Sequence, residues 1–408
     1  MVLIRTMNNL LISGRYFFEP QRATELLCKK ANPLIEIRVM ISITNKKERL
    51  AMTIMVAIDM HVKSLVTAIG VGKEKPVIKK FTNDFPGYQK LNNEIEHLKH
   101  FHSAKEVLIV YEASGLGYVL HDILEEQGYR CAVLAPTELE RSATGYKKKT
   151  DKKDAYYLYE KVRGHVLAGN DLHDIWIPDK ELREDRDLVR TLFDLGKKIT
   201  QVKVQIQSQL RKNGIKRPES IEESWSIGFY GWLDHDMEKR SVSYQISLKS
   251  LLRQLRSLQD EQKLIEKAVK DLAGKPRYKE ICNRLLNING VGLKTAMTFI
   301  TEIGCMNRFS NRYQLGSYIG LAPSSFESGE ADDRKGRITR NGPYRVRSIL
   351  NQSVWAHLRF NGEEREIYDK IVKKNPRRKK KAVVACMRRL AIRMWHIAKD
   401  VELIQQAA

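Results

Sequence analysis

Four carboxylates stand where the surrounding sequence makes them informative. Asp59 interrupts the apolar run VAIDM, where an unpaired charge would lose its hydration without return. Glu112 closes the apolar run in LIVYEAS, at the carboxyl edge where mixed α/β sheets collect their chemistry. Asp151 and Asp154 lie three residues apart in KKKTDKKDAYYL, a spacing that puts both on one face of a helix beginning at Thr150. Oxygen donors from a strand centre, a strand end and a helix start suit hard divalent cations, Mg²⁺ with Mn²⁺ as the alternative. A pair of such ions activates one oxygen of a phosphodiester exchange and stabilises the other. Each residue also has a plain explanation. Asp59 could mark a strand end, Glu112 could pair with a lysine, and the two helix-start aspartates could complement the helix dipole behind an N-cap at Thr150. Their occurrence together, in this order, favours a shared site.

The elements that would position them begin near Met52. TIMVAIDM, SLVTAIGVG and PVIKKF predict three strands in a meander, followed by a helix over FPGYQKLNNEIEHLKHF, a strand in KEVLIVYEA, a helix in GLGYVLHDILEEQG and a strand in YRCAVLAP. That is the element order of an α/β RNase H-like (RuvC-like) fold. Residues 1–51 are expected to be an extension outside it, and the domain itself spans 52–165. Over 166–277, Leu188, Leu192, Leu195, Ile199, Val202, Ile206 and Leu210 form one heptad-like seam. Leu248, Leu251, Leu255, Leu258, Gln262, Ile265 and Val269 form a second, with Gln262 as a polar residue able to set register. The expectation is an antiparallel coiled-coil hairpin or an oligomerisation arm, with ordinary helices packed on a globular core as the plain alternative. Residues 278–408 make a mainly helical C-terminal domain with a basic end.

Charge narrows the partners. The chain has 408 residues, with 72 Lys+Arg against 49 Asp+Glu, a formal net charge of +23. Such an excess favours a polyanion, since each cation that meets a phosphate releases condensed counterions. A membrane surface is the competing partner, but no run of 18 apolar residues occurs, which excludes a transmembrane helix, and no membrane partner is expected. The five cysteines, Cys28, Cys131, Cys282, Cys305 and Cys386, are scattered without a CxxC pair, as expected of a reducing cytoplasm and not of a zinc framework. Cytoplasmic, nucleoid-associated localisation is the expectation. His97, His100 and His102 cluster in HLKHFH but fall at the end of an amphipathic helix, where surface placement is the simpler reading.

LLNINGVGLKTA has the form of a helix-hairpin-helix, with Gly290 and Gly292 allowing a tight turn and Lys294 just inside the next helix, an arrangement able to contact phosphate. A plain helix-helix turn is the competing reading. GLAPSSFESGEADDRKGRITRNG is a long Gly-, Ser- and charge-rich segment between helical regions, of a kind that is often functional. Arg337, Arg340, Arg345 and Arg347 follow and could clamp a phosphate or form a solvated face. Arg377, Arg378, Lys379, Lys380 and Lys381 look like a nuclear-import signal, but in this setting fit contact with a nucleic-acid backbone.

AIDMHVKSL, VYEASGLGYVLHDILEEQGYRCAVLAP, KKKTDKKDAYYL, LLNINGVGLKTAMTFITEIG and RFSNRYQLGSYIGLAPSSFESGEADDRKGRITRNGPYRVRSILNQSVW together closely resemble the DEDD transposases of bacterial insertion sequences. The resemblance covers roughly residues 55–400. It implies that Asp59, Glu112, Asp151 and Asp154 are the acidic tetrad and that a serine in the later segment attacks DNA and becomes covalently linked to it. Ser328 fits that position best, with Ser324 and Ser325 next. A phosphoserine would conserve the phosphodiester for rejoining. The resemblance further implies site-specific recombination, a structured guide RNA from the element, and a homo-oligomer, dimer or tetramer. Two rivals remain: a metal-only nuclease or junction resolvase, and a decayed nucleic-acid-binding protein. Against decay, the four carboxylates and the Ser-Gly pair are all present.

Overall fold

Five strands build the N-terminal sheet: β1 (Thr53–Met60), β2 (Ser64–Val71), β3 (Val77–Thr82), β4 (Glu106–Glu112) and β5 (Arg130–Leu134). The computed structural model describes residues 53–136, 150–326 and 334–407, so the expected extension over 1–51 lies outside the described residues. The strand order is β3-β2-β1-β4-β5. β1 pairs antiparallel with β2, and β2 with β3, while β1–β4 and β4–β5 are parallel. This mixed sheet, with the helical region that follows it, is consistent with the RNase H-like fold.

Both faces of β1 are buried because it is the central strand, which explains its unbroken apolar run. Ile54, Val56 and Ile58 pack on one side, against helices α1 (Phe85–His102) and α2 (Val119–Glu126). Met55 and Ala57 pack on the other, against Ala155, Leu158, Tyr159 and Val162 of helix α3 (Asp151–Ala168). α1 starts sharply because Asp84 accepts the Gly87 amide at 2.9 Å and Pro86 occupies the first turn. This unit ends at Ile177.

The second unit begins at Pro178 and is mostly helical. Its helices are α4 (Lys180–Lys212), α5 (Ile227–Glu238), α6 (Val242–Ala273), α7 (Pro276–Leu286), α8 (Leu293–Ile303), α9 (Arg312–Ile319), α10 (Tyr344–Phe360), α11 (Gly362–Lys374) and α12 (Lys379–Ala407). A two-stranded hairpin, β6 (Pro323–Phe326) with β7 (Arg334–Ile338), lies between α9 and α10. The start of α4 and the end of α6 share one core with α7, α8, α10 and α12. The end of α4 and the start of α6 share a separate core with α5, so α4 and α6 run antiparallel.

The expected seam on α6 is closely packed toward its two ends and less covered in between. Leu248, Leu252, Leu255 and Val269 are buried on α6, whereas Leu258, Gln262 and Ile265 are only partly covered. Gln262 donates to Glu266 of its own helix at 2.8 Å. A side chain held along its own helix does not read register across the pair.

Candidate active site and nucleic-acid contacts

Simple periodicities bring Asp59, Asp151 and Asp154 together, while Glu112 shares their side of the sheet on the neighbouring strand without joining the cluster. The parallel register pairs Ile58 with Tyr111, one residue before Asp59 on β1 and Glu112 on β4. Asp59 has the parity of Met55 and Ala57, and Glu112 that of Leu108 and Val110, so both lie on the α3 side of the sheet. On α3, Asp151 and Asp154 precede the buried Ala155 and Leu158 by one helical turn and extend the sheet-facing stripe to the helix start. Thr150 occupies the N-cap position, but its side chain makes no capping bond.

Asp59 is the most covered of the contacting pair, its side chain 17% exposed against 54% for Asp151. Burial raises its carboxyl above the ordinary range. His61 opposes that shift, and the nearby charges of Asp154 and Asp151 add to it. Mutual repulsion of this kind is what a bound cation relieves.

His61 is a neighbour that the sequence reading did not single out. Its Nε2 lies 3.1 Å from Asp59 Oδ2 and 3.5 Å from Asp151 Oδ1. The turn that follows β1 holds it there: the His61 amide donates to Ser64 O at 2.8 Å, and Asn83 donates to the His61 carbonyl at 2.7 Å. One atom each of Asp59, His61 and Asp151 falls within 4.8 Å of the others. Two carboxylates and an imidazole at this spacing fit a divalent cation, though not one specific ion. The signal for His61 was available, since Asp-Met-His at the end of a strand puts the first and third residues on one face.

In the second unit the structure separates the candidates. Ser324 Oγ donates to Arg337 O at 3.0 Å, within the β6–β7 pairing, and Ser325 pairs by its backbone with Lys335. Ser328 lies outside the described residues. Gly290 has φ +86°, and a Cβ there would sit 2.6 Å from His357 N and 2.7 Å from Ser353 O of α10. His357 and Ser353 also fasten this turn. His357 Nδ1 donates to Asn289 O at 2.8 Å, and the Ser353 and Thr295 hydroxyls meet at 2.9 Å. Gly290 is therefore a packing position. Gly292 is the N-cap of α8, with open space around its Cα. Lys294 folds back over the Phe193 ring, 5.3 Å from its centroid, and burial lowers its pKa.

The arginines divide in the same way. Arg345 pairs with Asp194 at 2.7 Å, and Arg347 donates to the carbonyls of Ile319, Asn341 and Gly342. Both are occupied within the unit. Arg337, Arg340, Lys380 and Lys381 instead line a cavity of about 1450 Å³. Arg377, Arg378 and Lys379 are exposed at the turn leading into α12. His97 and His100 are exposed on α1. No helix among the described residues is long and apolar enough to cross a membrane.

Residues 56–213 match the DEDD model for IS110-type elements, described as Transposase, and residues 282–369 match the Transposase IS116/IS110/IS902 family. A protein of Sinorhizobium fredii carrying the transposase name y4qE is 28% identical over 253 residues, 62% of this chain and 59% of that protein. The chain thus spans less than two thirds of that relative. The transposase for insertion sequence element IS1533 of Leptospira borgpetersenii is 24% identical over 312 residues, 75% of this chain and 86% of that one. A shorter stretch of 89 residues, 22% of this chain, is 32% identical to 24% of the transposase for insertion sequence element IS1111A of Coxiella burnetii.

Proposed function

Because the chain belongs to the IS110-type DEDD transposases of insertion sequences, we propose that it cuts and rejoins DNA as a site-specific recombinase. The observation that carries this reading is the gathering of Asp59 and Asp151 around His61, with Asp154 close enough to act on Asp59 electrostatically. In this reading residues 52–165 are the acidic domain and residues 278–408 the serine-bearing domain.

Asp59, Glu112, Asp151 and Asp154 would hold a divalent cation, Mg²⁺ or Mn²⁺. When bound, such a cation supplies charge stabilisation to phosphate oxygens. His61 orients the Asp59 and Asp151 carboxylates through the one nitrogen that faces both. Ser328 is the nucleophile: its Oγ bonds to phosphorus as one phosphodiester P–O bond breaks, and its proton ends on the released DNA hydroxyl. The reverse exchange with a different hydroxyl restores the serine and completes strand transfer. The partners are DNA, a structured guide RNA and further copies of the chain.

The test traps the reaction on DNA, denatures and digests it, and identifies the residue bearing phosphate. An adduct on Ser328, absent from Ser328→Ala, supports the reading. An adduct on Ser324 or Ser325 keeps the mechanism and moves the residue. Normal cleavage by Ser328→Ala with no adduct establishes a metal-only nuclease. Calorimetric titration with Mn²⁺ gives an independent readout, because Asp59→Asn replaces a carboxylate with a poorer ligand and should weaken binding at least about tenfold.

A further inference from the structure

We propose that the cavity bordered by α9, β7 and α12 is a binding site for an unpaired strand of nucleic acid, with Tyr313 as the platform for one base. The inference rests on the reading of this chain as acting on nucleic acid. At about 1450 Å³ the cavity exceeds the 300–1,000 Å³ or so of a typical small-molecule pocket, and so suits a segment of polymer.

Its wall carries Arg312, Arg337, Arg340, Lys380, Arg388 and Arg393 against two carboxylates, Glu363 and Glu364. Among the described residues none of these six forms an ion pair with a carboxylate. Arg389, also on the wall, is neutralised by Glu364 at 3.0 Å. A recess that keeps so many cations uncompensated is built for a polyanion. Its floor is apolar, made by Leu321, Pro323, Ile338, Val384 and Ile392.

Tyr313 decides which form of nucleic acid fits. It is 62% exposed, with the guanidinium carbons of Arg312 and Arg388 at 5.1 and 5.7 Å from its ring centroid. A duplex presents phosphates and base edges, so an exposed ring in a basic recess gains little from it. An unpaired strand presents base faces, which stack on aromatic rings and guanidinium planes while its phosphates meet the surrounding cations. α12 sets the spacing: Lys381, Arg388 and Ile392 fall on its cavity side, while Leu390, Met394 and Trp395 anchor the opposite side in the core.

The test measures fluorescence anisotropy of labelled oligothymidylate, oligouridylate and a blunt DNA duplex with the full chain at several salt concentrations. Tyr313→Ala should lose about 5- to 150-fold in affinity for single strands, the range for one stacked base, with duplex binding nearly unchanged. Tyr313→Phe should bind as wild type, because the ring remains. Arg393→Ala should reduce the salt dependence of single-strand binding. A preference between the thymidylate and uridylate strands identifies DNA or RNA as the occupant. Equal losses for single strands and duplex in Tyr313→Ala, or no loss at all, overturn the proposal. A wild-type chain that binds duplex but not single strands overturns it alone, and a chain that binds neither also removes the transposase reading.

Discussion

Replacing Gly290 with alanine separates two meanings of the Gly-Val-Gly turn. The residue sits at φ +86°, where an L side chain costs about 1–2 kcal/mol. The new Cβ would also press on backbone, 2.6 Å from His357 N and 2.7 Å from Ser353 O, and neither atom can swing aside as a flexible side chain would. Forcing α8 and α10 apart adds roughly 1–3 kcal/mol, as overpacked sites usually do. The total is about 2–5 kcal/mol. For a unit running from Pro178 to Ala408, that corresponds to a melting temperature lowered by roughly 4–20 °C. Gly292→Ala is the matched control. It has φ −95° and open space, so it should cost less than about 1 kcal/mol. Thermal melts of the full chain by circular dichroism read both variants, and DNA-binding assays below the transition read what the folded protein still does. The reasoning fails if Gly290→Ala melts like wild type while its DNA binding collapses, because the turn would then serve the phosphate and not α10.

Lys294→Met should leave DNA affinity and its salt dependence unchanged, since the ammonium lies over Phe193; a tenfold loss would restore Lys294 as a phosphate contact. Glu302→Gln should destabilise the second unit by roughly 2–3 kcal/mol in urea titrations, because Glu302 is buried and holds Arg190 at 2.7 and 2.9 Å, with a discount for the partial exposure of Arg190. Burial raises the Glu402 pKa from its ordinary 4.5, against the amides of Met306 and Asn307 that it accepts, so the native state retains a proton that the unfolded chain releases. Its contribution to stability is full below about pH 4.5 and lost as pH rises through the native value, and Glu402→Gln should remove that component from a series of denaturation curves.

The sheet was legible in the sequence because a central strand covered by helices on both faces must be apolar on both, and a carboxylate such as Asp59 then stands out. The pair on α3 was equally local, a matter of helical spacing. His61 was missed although its signal was local too, because a histidine just past a strand end is ordinary by itself. The second unit was harder for a physical reason. Arg345 and Arg340 look alike in sequence, and what separates them is Asp194, 151 residues away. Gly290 owes its conformation to backbone near His357, a contact that no turn motif encodes. The cavity draws on five separated stretches, so the basic run 377–381 pointed to one part of it and gave no hint of Tyr313.

Helix α4 takes part in two cores at once. Val189, Leu192 and Phe193 belong to the large one, while Ile199, Val202, Ile206 and Leu210 belong to the smaller one shared with α5 and the start of α6. Protection against amide exchange need not be uniform along a helix so divided. The smaller core can open as a cooperative block, with Leu248, Leu252 and Leu255 released together with Ile199–Leu210, while the base of the same helix stays closed.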